Sequence, residues 1–428
     1  MAKAEISSTN ASAAVNKVWR KIQGKLGEGA NFSVDELDLM MEFSDVEFPW
    51  SQREVTFTTD INDVPRGALI PDGGFRARPG AVNTEELTAS ITSISQTFVA
   101  STLAQYADEG NENQIVKELM HKGKGALRAI ERVLGQQFYG TSVGTLALTD
   151  TDLGGTTDTL VLKDAFGVSD IDNAAYLADL FRKDEYIAAI EGTAIADSNS
   201  AIGRITADPA LTPGSIDVTW NASLGAVSTN NLKIVGAGSL GNGSSTDPRD
   251  DTDYNKAMTG LFDVLQSASV HGLAQASVPK WDVSYEDPTG GHLSTARIHK
   301  ALDTIANASG KTPDVCLMAQ GVNRAIIEVE RAAYHAASPT GIELDGSFKR
   351  RGIEFKTTRR VPPGYAFFWK KNQWQKLMLT PKPTNSFRWA DGKDLIDKEG
   401  MLFTMFVAGS LVCRQRNVFG YFSGLTEA

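Results

Sequence analysis

The stretch Asn111–Gly140, NENQIVKELMHKGKGALRAIERVLGQQFYG, has the hydrophobic spacing of one long amphipathic helix. Its apolar stripe, at steps of three or four residues, consists of Ile115, Leu119, Gly123, Leu127, Ile130, Leu134 and Phe138. The charged residues largely lie off this stripe: Lys117, Lys122, Lys124, Arg128, Glu131 and Arg132. Asn111 and Gln114 form a capping pair for the first backbone N–H groups, and Gly140 is a natural end. The pattern predicts a helix of about 40 Å.

Two glycines interrupt the helical pattern, at Gly123 and Gly125. Each lowers helix stability by about 1 kcal/mol relative to alanine, so they indicate a close backbone approach or a bend. The stripe alone is equally typical of a long core helix in any large domain. The sequence on either side must therefore decide whether the helix is more than that.

The composition bounds the class of protein. A chain of 428 residues exceeds one ordinary hydrophobic core, so we expect two or three domains. The net charge of −10 argues against a protein whose main task is to grip nucleic acid. Two cysteines, Cys316 and Cys413, indicate a reducing compartment without a disulfide framework. The apolar runs are too short for a signal peptide or a membrane span, so a soluble protein is expected.

The N-terminal segment predicts two short helices after a small, polar stretch at residues 1–11. The first, Ser12–Leu26, has Ser12 as N-cap and an apolar face opposite a basic one. The basic face consists of Lys17, Arg20, Lys21 and Lys25. A solvated face and a face that docks on a partner or an anionic surface both fit this pattern. The second helix is predicted at Ser33–Phe43, which begins with a capping box.

An extended hairpin is predicted between Arg53 and Ala100. Glu54–Thr59 alternates like a strand, Pro65–Gly80 is rich in turn residues, and Leu87–Thr97 alternates again. A hairpin with so few apolar residues is not stable alone and needs a neighbour. We expect that neighbour to belong to another molecule.

A β-rich module follows the long helix, over Thr145–Val235. Short strands are predicted at Leu160–Leu162, Tyr186–Ile190, Ala201–Ile205, Ile216–Trp220 and Leu232–Val235. Gly236–Asp253 is the clearest linker in the chain.

The remaining chain alternates strands and helices in the manner of an α+β or α/β domain. Helices are predicted at Asn255–Gln266, His292–Ala308 and Gly321–Ala336. Strands are predicted at Asp314–Met318, Gly352–Lys356, Tyr365–Trp369, Trp374–Leu379 and Met401–Val412, the last apolar on both faces.

No catalytic or metal-binding signature stands out in the sequence. The P-loop, dinucleotide-binding, HExxH and GxSxG patterns do not occur. The acidic cluster near Asp250 lacks the glycine and distal glutamate of a calcium loop, which favours a solvated linker. His292 and His299 are too far apart for a helical zinc pair, and both cysteines fit inert core thiols. We therefore predict no catalytic, cofactor-binding or metal-binding residues.

Five stretches carry a resemblance to a known family. They are VTFTTDINDVPRGALIPDGG, EELTASITSISQTFVASTLAQY, KGKGALRAIERVLGQQFYG, DYNKAMTGLFDVLQ and KRRGIEFKTTRRVPPGYAFFW. In this order, with a β-rich insertion and late apolar strands, the chain resembles the major capsid proteins of tailed double-stranded DNA phages, whose shell fold encapsulins share. The resemblance implies an α+β fold in which the long helix is the spine helix.

The resemblance also implies a division of the chain into parts. These are the N-terminal arm 1–52, the extended loop and peripheral-domain strands 53–110, the spine helix 111–141, the β-rich insertion domain 142–240, the axial α/β domain 241–380 and the peripheral-domain return strands 381–428.

The implied function is assembly. Copies of such a protein form hexamers and pentamers that close into an icosahedral shell around double-stranded DNA, in a virion assembled in the host cytoplasm. Implied partners are a separate scaffolding protein, a portal, a decoration protein and, non-specifically, the packaged DNA; no cofactor or membrane is implied. The expected assembly contacts are Lys17, Arg20, Lys21, Arg66, Asp72, Arg76, Arg78, Lys122 and Arg128.

One departure from the family is informative. Some members link their subunits by isopeptide bonds from a lysine of the extended loop, but this chain has no lysine between Lys25 and Lys117. We therefore expect a shell without such cross-links. Because structure-like pattern begins near Ser12, a large cleaved N-terminal scaffolding segment is not expected either.

Three alternatives stay open at the level of sequence. The chain fits an encapsulin-like cargo compartment, which nucleic acid in native particles would separate from a virus shell. It also fits a hydrolase with a β accessory domain, although no convergent titratable cluster is evident. A tail protein is a third alternative, but a long helix between the loop and the α/β domain favours a capsid protein.

Overall fold

The fold is described from a computed structural model. The structure describes residues 36–42, 54–60, 84–100, 112–150, 155–190, 201–221, 231–237, 252–275, 278, 281–334, 348–350, 353–379, 388–389, 393–394 and 401–427. These residues fall into two compact units. The first unit holds those within Met1–Asp38, Ile91–Gly135 and Leu377–Ser410, and the second those within Leu39–Ser90, Gln136–Lys376 and Leu411–Ala428.

The elements follow one another along the chain. The α-helices are α1 (Glu112–Tyr139), α2 (Ala174–Asp179), α3 (Leu261–Gln266), α4 (Thr295–Ser309) and α5 (Gln320–Tyr334). The first strands are β1 (Met41–Glu42), β2 (Glu54–Asp60), β3 (Thr84–Ser90), β4 (Thr92–Ala100), β5 (Thr145–Thr149), β6 (Thr157–Lys163), β7 (Tyr186–Ile190), β8 (Ala201–Ile205), β9 (Ser215–Trp220), β10 (Lys233–Ala237), β11 (Ser269–Val270) and β12 (Leu273–Ala274). The later strands are β13 (Tyr285–Asp287), β14 (Val315–Met318), β15 (Phe348–Arg350), β16 (Ile353–Thr357), β17 (Ala366–Trp369), β18 (Trp374–Leu379), β19 (Arg388–Trp389), β20 (Lys393–Asp394), β21 (Met401–Cys413) and β22 (Gly420–Phe422).

The long helix α1 confirms the prediction for Asn111–Gly140 to within one residue at each end. Every described residue of the predicted apolar stripe is buried: Leu119, Gly123, Leu127, Ile130, Leu134 and Phe138. Gly123 is therefore on the packed face, whereas Gly125 is exposed, with nothing within 4 Å of the position its Cβ would take. Tertiary burial of the stripe, rather than intrinsic propensity, explains why the helix tolerates both glycines.

The first unit contains an antiparallel pairing of β4 with β21, in register from Ala100 opposite Met401 to Thr92 opposite Gly409. Along β21 the side chains alternate between buried and half-buried from Met401 to Ala408. The prediction that this strand is apolar on both faces is therefore wrong over this span. Across the pair, the rings of Phe98 and Phe403 stack with centroids 5.3 Å apart.

The β-rich module of the second unit is a closed barrel with the strand order β10-β5-β6-β9-β8-β7. The predicted strands are confirmed, and β5 is a further strand that completes the barrel. Its interior is tightly packed with small and branched side chains. At Gly203 an added Cβ would lie 2.4 Å from Val218 Cγ1 and 2.6 Å from Trp220 Cε3. Only glycine fits there, because no real Cβ comes so close to its neighbours.

The α/β region of the second unit is a six-stranded mixed sheet with the order β13-β22-β17-β14-β16-β15. The central strand β14 is parallel to β16 and antiparallel to β17. Helix α4 begins after Ser294, whose hydroxyl accepts from Arg297 N at 3.3 Å, and ends at Gly310 with φ of 70°. Both ends follow the rules for caps. The predicted α/β alternation is confirmed.

Two predicted helices are shorter than the sequence indicated. Asn255–Gln266 is helical only from Leu261, because Met258 N donates to Gln137 Oε1 at 2.8 Å instead of a preceding carbonyl. Gly260 follows, where a Cβ would lie 2.2 Å from Gly140 O, so the chain passes too close for a regular turn. Within Ser33–Phe43 the described residues form a 3-10 turn at Leu37–Leu39 and then β1.

The hairpin prediction is confirmed for the strands β2 and β3, which pair from Glu54 opposite Ser90 to Asp60 opposite Thr84. The prediction of a single strand over Leu87–Thr97 is wrong, since Ile91 separates β3 from β4. β3 pairs with β2, and β4 pairs with β21. The tip of the hairpin, residues 61–83, lies outside the described residues.

The expectation that another molecule supports the hairpin is wrong for its base. The inner face of β2 and β3 is buried within this chain, at Val55, Phe57, Leu87 and Ala89. The ring of Phe57 meets the ring of His271 edge to face with centroids 5.4 Å apart. Thr59 Oγ1 donates to Arg414 O at 2.7 Å. The second unit therefore supplies the apolar neighbour that the hairpin sequence lacks.

The end of α1 lies in an aromatic core of the second unit. Phe138 is fully buried, and its ring centroid is 4.6 Å from that of Trp374 and 6.3 Å from that of Trp369. Tyr139 OH lies 3.3 Å from Thr358 Oγ1. The aromatic residues that the sequence left between core and ligand site are thus core where the structure describes them. No described helix has the length and apolar character to cross a membrane.

We predict that Phe138→Ala destabilises the second unit by about 3–5 kcal/mol, because it removes a buried ring and leaves a cavity. Urea unfolding of the full-length, unassembled chain measures this change. The matched control is Leu211→Ala, since Leu211 is 63% exposed and should change stability by less than about 0.5 kcal/mol. Equal stability losses in the two variants would contradict the aromatic core.

Candidate assembly surfaces

The structure describes two of the residues predicted as assembly contacts, Lys122 and Arg128, both on α1. The others lie outside the described residues: Lys17, Arg20, Lys21, Arg66, Asp72, Arg76 and Arg78. Lys122 is half-buried, and its Nζ donates to Val99 O on β4 at 2.8 Å. Arg128 is exposed. Lys122 thus has a role within the chain, while the assembly role of all these residues stays a prediction.

Arg128 belongs to a row of exposed side chains on α1. We call this row the basic stripe; it consists of Lys117, His121, Lys124 and Arg128. Residues four, three and four positions apart share one face of a helix, because the turn repeats every 3.6 residues. The stripe therefore opposes the buried face of α1. A line of cations on a chain with net charge −10 is a local exception in the charge distribution.

The barrel carries most of the negative charge. Between Thr145 and Ala237 the sequence has thirteen acidic and five basic residues, a balance of −8 within the chain's −10. In the described part of the barrel, several of the acids hold nearby cations: Asp150 contacts Lys163 at 2.8 Å, and Asp184 contacts Arg204 at 2.6 Å. Both pairs are solvent-accessible and add little stability. The barrel surface is thus polar and acidic.

The barrel is fixed to the α/β region of the second unit through Phe166. This residue has φ of 58° and is buried, with ring centroids 6.0 Å from Phe262 and 6.4 Å from Tyr139. A bulky residue rarely adopts a left-handed backbone, so its packing must offset that strain. Tyr176 OH also donates to Arg360 O at 2.9 Å. These contacts make the barrel a rigid extension of its unit.

An open cleft of about 560 Å³ lies at the carboxyl end of α4. Its walls come from β2, the last turn of α4 and the segment after β21, and its floor includes Trp281, Val278 and Leu273. The polar groups on its walls bond to one another. Lys311 Nζ donates to Gln415 Oε1 at 2.5 Å, and Gln415 Nε2 donates to Asn417 Oδ1 at 2.7 Å. The cleft therefore has no prepared arrangement of groups for a substrate.

A buried histidine joins the hairpin to the end of β21. His271 has φ of 52° in the turn between β11 and β12, and its O accepts from Thr88 N at 3.3 Å. Its Nε2 accepts from Cys413 N at 3.0 Å, so the proton of the neutral ring is on Nδ1. Burial lowers the pKa of His271 to about 4. The bond requires the neutral ring, because an imidazolium has no acceptor nitrogen.

Two further buried charges surround α3. Arg416 is 1% exposed, and its Nε and Nη2 donate to Val264 O at 2.5 Å and Leu265 O at 3.2 Å. These carbonyls are at the helix end, where backbone acceptors lack intrahelical partners. Asp263 accepts a hydrogen bond from Ser142 N, and burial raises the pKa of its carboxyl to about 6. Both side chains hold neighbouring backbone in place rather than facing a pocket for a ligand.

The described residues contain no group of three or more His, Cys, Asp or Glu side chains that could hold a metal ion. Cys316 and Cys413 are fully buried, and burial raises the pKa of both thiols, that of Cys413 to about 12. A thiol with so high a pKa is not a nucleophile at neutral pH.

Sequence reasoning did not single out His271, Arg416, Asp263 or Phe166. Each derives its role from a partner more than ninety residues away in the chain, such as Cys413 for His271 and Val264 for Arg416. The one local signal was an isolated Arg416 next to an apolar strand, which a sequence alone cannot distinguish from a surface residue.

Solved structures resemble this chain in fold. A chain of the cyanophage A-1(L) capsid asymmetric unit matches with a TM-score of 0.53 and 10% identity, over 92% of this chain and 94% of that one. A capsid chain of a native GTA particle matches with a TM-score of 0.43 and 8% identity, over 92% and 91% of the two chains. An encapsulin from Synechococcus elongatus matches with a TM-score of 0.27 and 13% identity, over 33% and 52%.

The cyanophage match confirms the fold that the resemblance implied, an α+β capsid fold over nearly the whole chain. The two weaker likenesses carry no argument here. No protein-family model matches the sequence, and no curated protein sequence matches it.

We predict that His271 makes stability depend on pH between about 6.5 and 4. Because its pKa is lower in the folded state, its contribution is complete above pH 6.5 and is lost as pH falls toward 4, by about 3 kcal/mol. Asp263 acts in the opposite direction, since its raised pKa favours the folded state as pH falls below about 6.

The test is therefore a difference between two proteins. The free energy of unfolding of the wild type minus that of His271→Asn should fall by about 3 kcal/mol between pH 7 and pH 4, because Asp263 is common to both. Asparagine tolerates the left-handed backbone of this position. His292→Asn is the matched control, since His292 is exposed. A constant difference across this range would contradict a neutral, buried His271.

Proposed function

We propose that this protein is a structural shell protein that assembles as hexamers and pentamers into an icosahedral capsid around double-stranded DNA. The observation that carries the proposal is the cyanophage capsid fold, which extends over 92% of the chain and so leaves little of it for another activity. The proposal assigns the protein no catalysis. It places the protein in the virion capsid, assembled in the host cytoplasm.

The proposed parts are those that the sequence suggested. Residues 1–52 form an N-terminal arm, 53–110 the extended loop and peripheral strands, 111–141 the spine helix, 241–380 the axial domain and 381–428 the return strands. The barrel, within 142–240, is an insertion domain. Its rigid attachment through Phe166 and its acidic surface suit a module that is presented to a partner.

The proposed partners follow from assembly. Other copies of the chain are the first, and the extended loop with Arg66, Asp72, Arg76 and Arg78 contacts them. The arm residues Lys17, Arg20 and Lys21 face scaffold or genome. A separate scaffolding protein, a portal and a decoration protein complete the set. Packaged DNA is contacted non-specifically, and the net charge of −10 limits that contact, because strong affinity would hinder packing and release.

We predict that the purified full-length chain, alone or with a co-expressed scaffolding protein, forms closed particles or free hexamers. Negative-stain electron microscopy and light scattering measure this outcome. A stable monomer or dimer under both conditions would overturn the shell proposal. Cargo protein without nucleic acid in native particles would instead identify a cargo compartment.

Two loop variants sharpen that experiment. Arg76→Glu with Arg78→Glu should lower the yield of particles, because it reverses the charge of the proposed contact surface. Lys183→Glu with Lys300→Glu changes the net charge equally at exposed sites outside the loop and should leave the yield unchanged. Equal yields for both double variants would remove these arginines from the assembly contacts.

We predict that assembled particles contain no covalent cross-links from the extended loop, since the chain has no lysine between Lys25 and Lys117. Boiling in SDS followed by electrophoresis should give a single band at the 46.1 kDa of the chain. A ladder of multiples of that mass would contradict this prediction.

A further inference from the structure

The basic stripe of α1 is a straight, exposed row of side chains. On a helix with 3.6 residues per turn, Lys117, His121, Lys124 and Arg128 lie within about 60° of arc. From the first to the last of them the helix rises about 16 Å. The buried stripe of Leu119, Leu127 and Leu134 lies on the opposite side and fixes the orientation of the helix, so the basic stripe faces away from the core.

The stripe is not balanced by acidic side chains on its own face. Between Lys117 and Arg128 no acidic residue falls within that arc, and the first on its border is Glu131, which is half-buried. Within the part of the chain that the structure describes, the four stripe side chains take part in no ion pair. Elsewhere in that part, cations are paired, as Arg204 is with Asp184 and Arg297 with Asp287.

The shape of the stripe suits an extended ligand. Gly125 is exposed in its middle, and nothing lies within 4 Å of the position its Cβ would take, so the helix surface there is low and open. Long lysine and arginine side chains on both sides can reach a ligand that lies along the helix. There is no concave pocket to fix a compact anion.

We infer that the basic stripe is a contact surface for the phosphate backbone of nucleic acid. Three permanent cations, Lys117, Lys124 and Arg128, project along about 16 Å of helix, a length over which duplex DNA presents roughly ten charges. Flexible cations contact phosphates without reading base sequence, which is the binding mode that a container for any sequence requires. This inference rests on the proposed function, because that function supplies the duplex.

An acidic protein surface fits the stripe less well. Specific protein interfaces have an apolar centre from which charged residues are depleted, and a polar rim around it. The stripe has neither a large apolar side chain within its arc nor a hydrogen-bond acceptor to set a register. A linear row of cations alone matches a polyanion, whose charges repeat along its length.

The stripe also reconciles DNA contact with an acidic chain. Three phosphate contacts give a slope of about −2.7 in a plot of log affinity against log salt concentration. A fourfold rise in salt then weakens binding about 40-fold, so each copy holds DNA weakly and reversibly. Weak contacts from many copies can arrange packaged DNA without trapping it.

The test is duplex binding by the full-length chain before shell closure. Fluorescence anisotropy with a labelled 16-base-pair duplex is measured from 50 to 200 mM salt for the wild type and for Lys117→Gln with Lys124→Gln and Arg128→Gln. The matched control is Lys183→Gln with Lys300→Gln and Arg324→Gln, which removes three exposed cations outside the stripe. The expected result is a slope that becomes shallower by about 2.7 in the stripe variant and by much less in the control.

The possible outcomes separate this inference from the shell proposal. Equal slopes in the stripe variant and the control would overturn the inference, whether or not particles form. An unchanged slope together with lost assembly in the stripe variant would identify the stripe as a contact between copies and also overturn it. Failure of the wild type to oligomerise would refute the shell proposal, whereas a changed slope would still support the phosphate contact. Circular dichroism checks that all variants fold.

Discussion

The burial of Phe138 at the end of α1 is the interaction on which the second unit depends. Its ring lies against Trp374, Trp369 and Tyr139, and the neighbouring rings of Phe166, Phe262 and Phe367 extend the same cluster. Aromatic rings bury large apolar areas and add favourable edge-to-face contacts. Strands β17 and β18, the barrel and α3 thus share one core, which explains how a module inserted in the chain can be held rigidly by it.

Around this core, buried polar side chains connect segments that are distant in sequence. Arg416 completes the end of α3, and His271 connects the hairpin to the last strand residue Cys413. Buried polar groups stabilise a fold only while their hydrogen bonds are made, so each fixes one particular arrangement of chain segments. For a shell protein, such connections keep the base of the extended loop in place and leave its tip to contact a neighbour.

Charge is divided between elements rather than spread evenly. The barrel carries −8 of the net charge, whereas the basic stripe carries cations alone on its arc of α1. This division allows one chain to remain acidic overall and still offer a weak phosphate contact, as the proposed container requires. The repulsion between acidic barrels also disfavours non-specific association of free subunits.

The amino-acid sequence by itself determined the long helix, the strands of the barrel, β18 and β21, and the α/β alternation, because hydrophobic periodicity and capping residues are local properties. It also carried the resemblance to the capsid fold. Barrel closure, the break at Ile91 between β3 and β4, and the short α3 were decided by tertiary structure, through close approaches such as Gly260 to Gly140 and pairing between distant strands. The roles of His271 and Arg416 likewise depend on long-range partners. Only the folded chain places those partners within hydrogen-bonding distance, so no local pattern could reveal them.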